Sequence, residues 1–158
     1  MKKLASLLAV ALALGIAAEA PAQTLDRIRA TGVVTLGVRD SSLPMSYVLG
    51  SDQAVGFQVD ICQRIVAAIK RQLNLQKLEV RYQVVTSQNR VPLVRNGAVD
   101  LECGSTTNNQ ARQQDVAFTL TTYIEEVRMA VRANSGIRSI RDLEGRTVVA
   151  TTGTTSGQ

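Results

Sequence analysis

The sequence predicts an α/β fold built on a parallel sheet. Three observations carry this. From residue 24 onward, short apolar β-branched runs alternate with stretches of helical spacing. That order, strand–helix–strand–helix–strand, requires crossover connections, and crossovers join parallel neighbours. With 45% hydrophobic residues over 158 positions, the chain can build a core of one domain or one and a fraction, and with 3% aromatics that core is aliphatic.

The elements follow in order. "TLDRIRATG" predicts a helix over 24–30, capped by Thr24 and stopped by Gly32. "VVTLGV", 33–38, is a buried strand. A loop with Pro44 and Gly50 leads to "GFQVDICQRIVAAIKRQLNL", an amphipathic helix with Phe57, Ile61, Ile65, Ile69 and Leu73 at every fourth position. "LEVRYQVVT", 78–86, alternates and is β-branched, hence a strand. "QNRVPLVRNG" is a short helix with Pro92 in its first turn and Gly97 at its end. "AVDLECG" is a strand and "NNQARQQDVA" a helical turn. Residues 118–133 alternate over a long span and predict one or two strands outside the β/α rhythm. "SIRDLEG" is a short helix, and "RTVVATTGTTSG" a strand entering a polar Gly-rich loop after which a helix is expected and absent. The chain therefore reads as truncated.

The N-terminus reads as a secretory signal peptide over 1–22. Lys2 and Lys3 precede an apolar run over residues 4–18, and Ala20-Pro21-Ala22 supplies an A-x-A cleavage site. A membrane anchor is the competing reading, but the run is short for a span. Export permits disulfides. Cys62 in the long helix and Cys103 at a strand end form a possible pair, the alternative being two buried thiols.

Composition excludes several chemistries. The chain has no histidine, which removes His-based triads and His metal sites, and two cysteines do not make a zinc site. Asp60, Asp100, Glu102 and Asp115 show no spacing of paired catalytic carboxylates. "GTTSG" lacks the lysine of a phosphate loop, and no G-x-S-x-G elbow occurs. The net charge of +5 is spread along the chain without basic clusters, which together with export excludes nucleic acid as a partner.

What remains is a pattern at the strand ends. Arg39-Asp40-Ser41-Ser42, the run from Thr86 to Arg90, Gly104-Ser105-Thr106-Thr107 and the run from Thr151 to Thr155 each follow a strand, with Arg112 downstream of the third. Ligands of open α/β sheets bind outside the carboxyl ends of the strands. Taken singly, such hydroxyls are ordinary helix caps and lone arginines are surface residues. Taken together, they predict a cationic pocket for a small anion.

The segments "TLDRIRATGVVTLGVRDSSLPMSY", "VGFQVDICQRIV", "TSQNRVPLVRNGAVDLECGSTTNNQARQ" and "LEGRTVVATTGTTS" resemble, in that order, the periplasmic solute-binding proteins of amino-acid ABC importers (bacterial solute-binding protein family 3). "TSQNR" and "ECGSTTNN" resemble the glutamate/aspartate-binding branch in particular. The resemblance implies a periplasmic-binding-protein-like, two-lobe (type II) α/β fold. Lobe 1 would run over 23–122, a hinge strand over 123–133, and the truncated start of lobe 2 over 134–158. It implies that Ser105, Thr107 and Arg112 hold the amino-acid head group, Arg112 forking onto the α-carboxylate. Arg39, Ser87 and Arg90 would hold a side-chain carboxylate, with Thr154 and Thr155 adding contacts from lobe 2. The implied partners are an acidic amino acid and a membrane permease, without cofactor or metal, in a periplasmic protein monomeric at full length. Glutamate and aspartate are not ranked, and a chain ending at 158 is expected not to bind competently alone. A dehydratase-like enzyme or a ligand-sensing domain on the same fold are the alternatives.

Overall fold

The computed structural model describes residues 23–157; the signal segment expected at 1–22 lies outside the described residues. Helix α1, Gln23–Thr31, begins one residue earlier than expected, so Thr24 lies in its first turn and does not cap it. Gly32 ends it as expected, at φ 67° and with its N–H donated to the Ile28 carbonyl at 2.8 Å.

Strand β1, Val33–Val38, is the centre of the molecule. It lies between β5, Glu79–Val84, and β6, Leu101–Cys103, in a parallel sheet of order β5-β1-β6. Val38 of β1 registers with Val84 and with Cys103, so the strands end level with one another. Val34, Leu36 and Val38 point to one face and are fully buried there against α2, Phe57–Gln72, and Ile28 of α1. On the other face Gly37 lies beneath Val85 and Val99. A Cβ at 37 would come within 2.9 Å of Val99 Cγ1 and 3.3 Å of Val85 Cγ1, so only glycine permits that packing.

The buried stripe of α2 departs from the expected one. Val59, Cys62, Val66 and Leu73 face the core, while Phe57 is 44% exposed. With the partly buried Ile69, which packs against the same core as expected, the spacing alternates threes and fours and follows the 3.6-residue turn; a strict fourfold series drifts off the face. The stretch expected as a plain loop before α2 is a small antiparallel meander of β2, Ser41–Ser42, β3, Ser46–Leu49, and β4, Gln53–Val55. Helix α3, Arg90–Arg95, carries Pro92 in its first turn, and α4, Gln110–Gln113, is one turn long. Cys62 of α2 and Cys103 of β6 form a disulfide with Cα atoms 6.1 Å apart, both residues buried.

Two expected strands do not form. Residues 118–133, including the hinge strand expected at 123–133, and residues 147–150 make no ladder among the described residues. Their apolar side chains stay in solvent: Leu120 is 91% exposed, Ile124 86% and Val149 92%. A strand is stable only when a neighbour accepts and donates its backbone hydrogen bonds, and here none does. Contacts of this stretch with α2 include Gln58 Nε2 donating to Thr122 Oγ1 at 2.7 Å and an edge-on Phe57–Tyr123 pair. The helix expected at "SIRDLEG" is a 3₁₀ turn, Ile140–Leu143, with a Ser139–Asp142 capping box.

Candidate ligand site

The level ends of the parallel strands set the site. Past β5, Thr86 and Asn89 bond to each other. The Thr86 N–H donates to Asn89 Oδ1 at 2.7 Å, and the Asn89 N–H donates to Thr86 Oγ1 at 3.2 Å. Past β6, Asn109 Oδ1 accepts the Arg112 N–H at 3.0 Å and caps α4. Asn109 follows the ordinary capping explanation, whereas Thr86 and Asn89 close a turn ahead of α3 and the Asn89 side chain makes no cap bond to that helix. Ser87 takes neither role: its Oγ accepts from Arg39 Nη1 at 3.2 Å. Ser105 and Thr107 are exposed past the end of β6.

The Arg90 side chain is the unusual one. At the first turn of α3 it is 3% exposed, and its Nε and Nη1 have no hydrogen-bond partner. Arg39 Nε is buried without a partner as well, while its backbone N–H donates to Ser46 Oγ at 2.9 Å. Burial pulls the Arg90 guanidinium below the usual arginine range. Glu102 opposes this, and the nearby charges of Arg112 and Arg39 reinforce it. Buried guanidinium donors without a protein acceptor have the geometry to take a carboxylate or another planar oxyanion.

Arg112 stands differently. Its Nη1 donates to the Thr107 carbonyl at 2.9 Å and its Nη2 to the Gly153 carbonyl at 3.0 Å, so its fork already clasps two acceptors. Gly153, at φ 80°, packs on the end of β5; a Cβ there would lie 2.6 Å from the Ser87 carbonyl oxygen. The loop over 151–156 thus crosses the strand ends. Thr155 Oγ1 comes within 3.4 Å of Thr107 Oγ1. The Thr154 hydroxyl donates to the Thr151 carbonyl at 2.7 Å and closes a local turn. A cleft of about 430 Å³ opens here, lined by Arg39, Asp40, Ser87, Thr151 and Thr152 among others. Arg90, Thr107 and Arg112 lie outside its lining.

One residue escaped the sequence reading. Glu102, in β6, is largely buried with Oε1 unpartnered. Burial pushes its carboxyl above the usual range. The Thr106 hydroxyl, then the Arg90 and Arg39 charges and the Gly104 N–H, pull it back in part. The available signal was a charged residue inside the apolar strand "AVDLECG". Treating Glu102 only as a candidate catalytic carboxylate passed over it. Among the described residues there is no cluster of metal ligands, and no helix is long and apolar enough to cross a membrane.

Residues 34–153 match the family model of bacterial extracellular solute-binding proteins, family 3. The chain is 44% identical, over 96% of its length, to the L-glutamate/L-aspartate-binding protein of Pseudomonas aeruginosa, covering 50% of that protein. It is 41% identical, over 98% of its length, to the glutamate/aspartate import solute-binding protein of Escherichia coli K12, covering 53% of it. The chain spans about half the length of the curated relatives it matches. Among solved structures, the solute receptor for L-cysteine of Neisseria gonorrhoeae is similar, with a TM-score of 0.51 at 28% identity over 60% of this chain and 37% of that one. The parallel sheet, the strand-end site and the match over 34–153 place the chain in one family: it belongs to the bacterial extracellular solute-binding proteins, family 3.

Proposed function

We propose that this chain takes part in extracytoplasmic capture of an acidic amino acid, glutamate or aspartate, for delivery to the membrane permease of an ABC importer. The observation that carries the reading is Arg90, almost wholly buried with two unpaired donor nitrogens and with Arg39 charged beside it. A neutral amino acid brings one carboxylate, for which one arginine suffices. A second anionic group is the economical reason for a buried Arg90 in addition to Arg112. In this reading Arg39, Ser87 and Arg90 take the side-chain carboxylate. Arg112 exchanges the Gly153 carbonyl for the α-carboxylate, and Ser105, Thr107 and Thr155 add hydroxyl contacts. The names of the two curated relatives point the same way. Capture is binding without bond making, so no catalytic group is called for.

The test is amide chemical-shift titration, with L-glutamate, L-aspartate and L-glutamine, of a protein that carries this chain together with a complete second lobe, because a chain ending at 158 is expected not to bind competently alone. Glutamate and aspartate are expected to shift the amides around residues 87–90 and 105–112 at concentrations where glutamine barely does. Equal affinity for glutamine would defeat the reading.

A further inference from the structure

Leu101 packs against the main core and Cys103 is bonded to α2. Alternation along β6 turns Glu102, between them, to the opposite face of the sheet. Its surroundings come from every element packed there: Arg90 of α3, Arg39 past β1, and the Thr106 hydroxyl and Gly104 N–H past β6, with Arg112 of α4 facing Arg90. The Glu102 and Arg39 side chains both approach Gly104 closely. A Cβ at Gly104 would run into Glu102 Oε1 and come within 2.9 Å of Arg39 Cγ. Yet none of the ion pairs among the described residues includes Glu102. It does not clamp the arginines; it acts on them through its charge.

We infer that Glu102 sets the affinity and pH response of the site: its carboxylate sits beside the guanidinium groups that would receive the ligand's side-chain carboxylate, so the two like charges oppose each other there. The inference rests on the acidic-ligand reading above. Two carboxylates at one cationic cluster raise each other's hold on a proton. Ligand arrival then draws a proton onto Glu102, and by reciprocity a protonated Glu102 tightens the ligand. A shift of about one pH unit in Glu102 on binding corresponds to about a tenfold change in affinity. Burial raises this carboxyl above the usual carboxylate range, the direction that favours uptake of that proton. The chain has no histidine and its two cysteines are bonded, so those side chains add no titration of their own between the carboxylate and amine ranges.

The experiment is the same amide titration of the protein with both lobes, run from about pH 4.5 to 8 on wild type and on Glu102→Gln, with the Glu102 side-chain carbon followed to locate its titration. Glutamate is expected to bind up to about tenfold tighter at the acid end, with glutamine showing no such trend. Glu102→Gln should bind glutamate tightly and independently of pH. A residue that merely fills space gives a flat profile in both proteins. Clear glutamate binding with a flat wild-type profile overturns the inference and leaves the acidic-ligand reading standing. Absence of any glutamate-specific shift at residues 87–112 overturns both. The wild-type profile decides the matter even where the variant fails to fold.

Discussion

Replacing Arg90 by Met should make this protein more stable and unable to distinguish glutamate from glutamine. The side chain is 3% exposed, and two of its nitrogens lie buried without an acceptor. An unsatisfied buried donor costs about 1–3 kcal/mol, more when charged. The attraction of Glu102 returns part of this, while Arg39 and Arg112 add repulsion. Met has a comparable length and no polar atom, so the exchange removes both unsatisfied donors and the repulsion of Arg39 and Arg112, while loss of the Arg90 charge beside Glu102 offsets part of that gain and leaves a net of about 2 kcal/mol. Taking 2 kcal/mol at roughly 3 °C per kcal/mol for a chain of this size, the melting midpoint should rise by roughly 6 °C. Circular-dichroism melts of wild type and Arg90→Met at neutral pH, beside glutamate and glutamine titrations, make the measurement. Removing the proposed partner of a bound carboxylate costs about 2–5 kcal/mol of affinity for glutamate and little for glutamine. A lower midpoint in Arg90→Met would refute the reasoning, because it would mean that the guanidinium is satisfied in the free protein.

Three further outcomes follow from the fold. Reduction of Cys62–Cys103, which are 41 positions apart, should destabilise the chain by about 4 kcal/mol in urea titrations with and without dithiothreitol; unchanged midpoints and two free thiols by mass spectrometry would show that the bridge is not formed. Asp100→Ala should cost about 2–3 kcal/mol in the same assay. This carboxylate, 2% exposed, accepts the Thr35 N–H at 2.8 Å and pairs with Arg27, tying α1 to the sheet; the exposed Arg27 side chain limits the loss on its side. Arg112→Ala should weaken glutamate, aspartate and glutamine alike, by about 2–5 kcal/mol each, since all share the α-carboxylate; selective loss of the acidic ligands alone would move Arg112 to the side-chain half of the site.

The sequence by itself determined what local pattern and chemistry can determine. The helix stop at Gly32, the strand at 33–38, the first-turn position of Pro92 and the grouping of hydroxyls and arginines past the strands were all legible there, because each depends on backbone sterics, periodicity or residue type over a few positions. Tertiary structure decided the rest. It paired Thr86 with Asn89 in a turn, made Asn109 a helix cap and left Ser87 to Arg39, a choice that rests on which donor lies within 3 Å or so. It withdrew Thr154 into its own turn. It left residues 118–133 and 147–150 unpaired, since an alternating pattern states a preference for a ladder and cannot supply the neighbouring strand. And it buried Arg90 beside Glu102, residues twelve positions apart whose meeting no spacing rule foretells. Burial and electrostatic neighbourhood are properties of the assembled sheet ends, so the charge balance of the site exists only once β1, β5 and β6 stand in register.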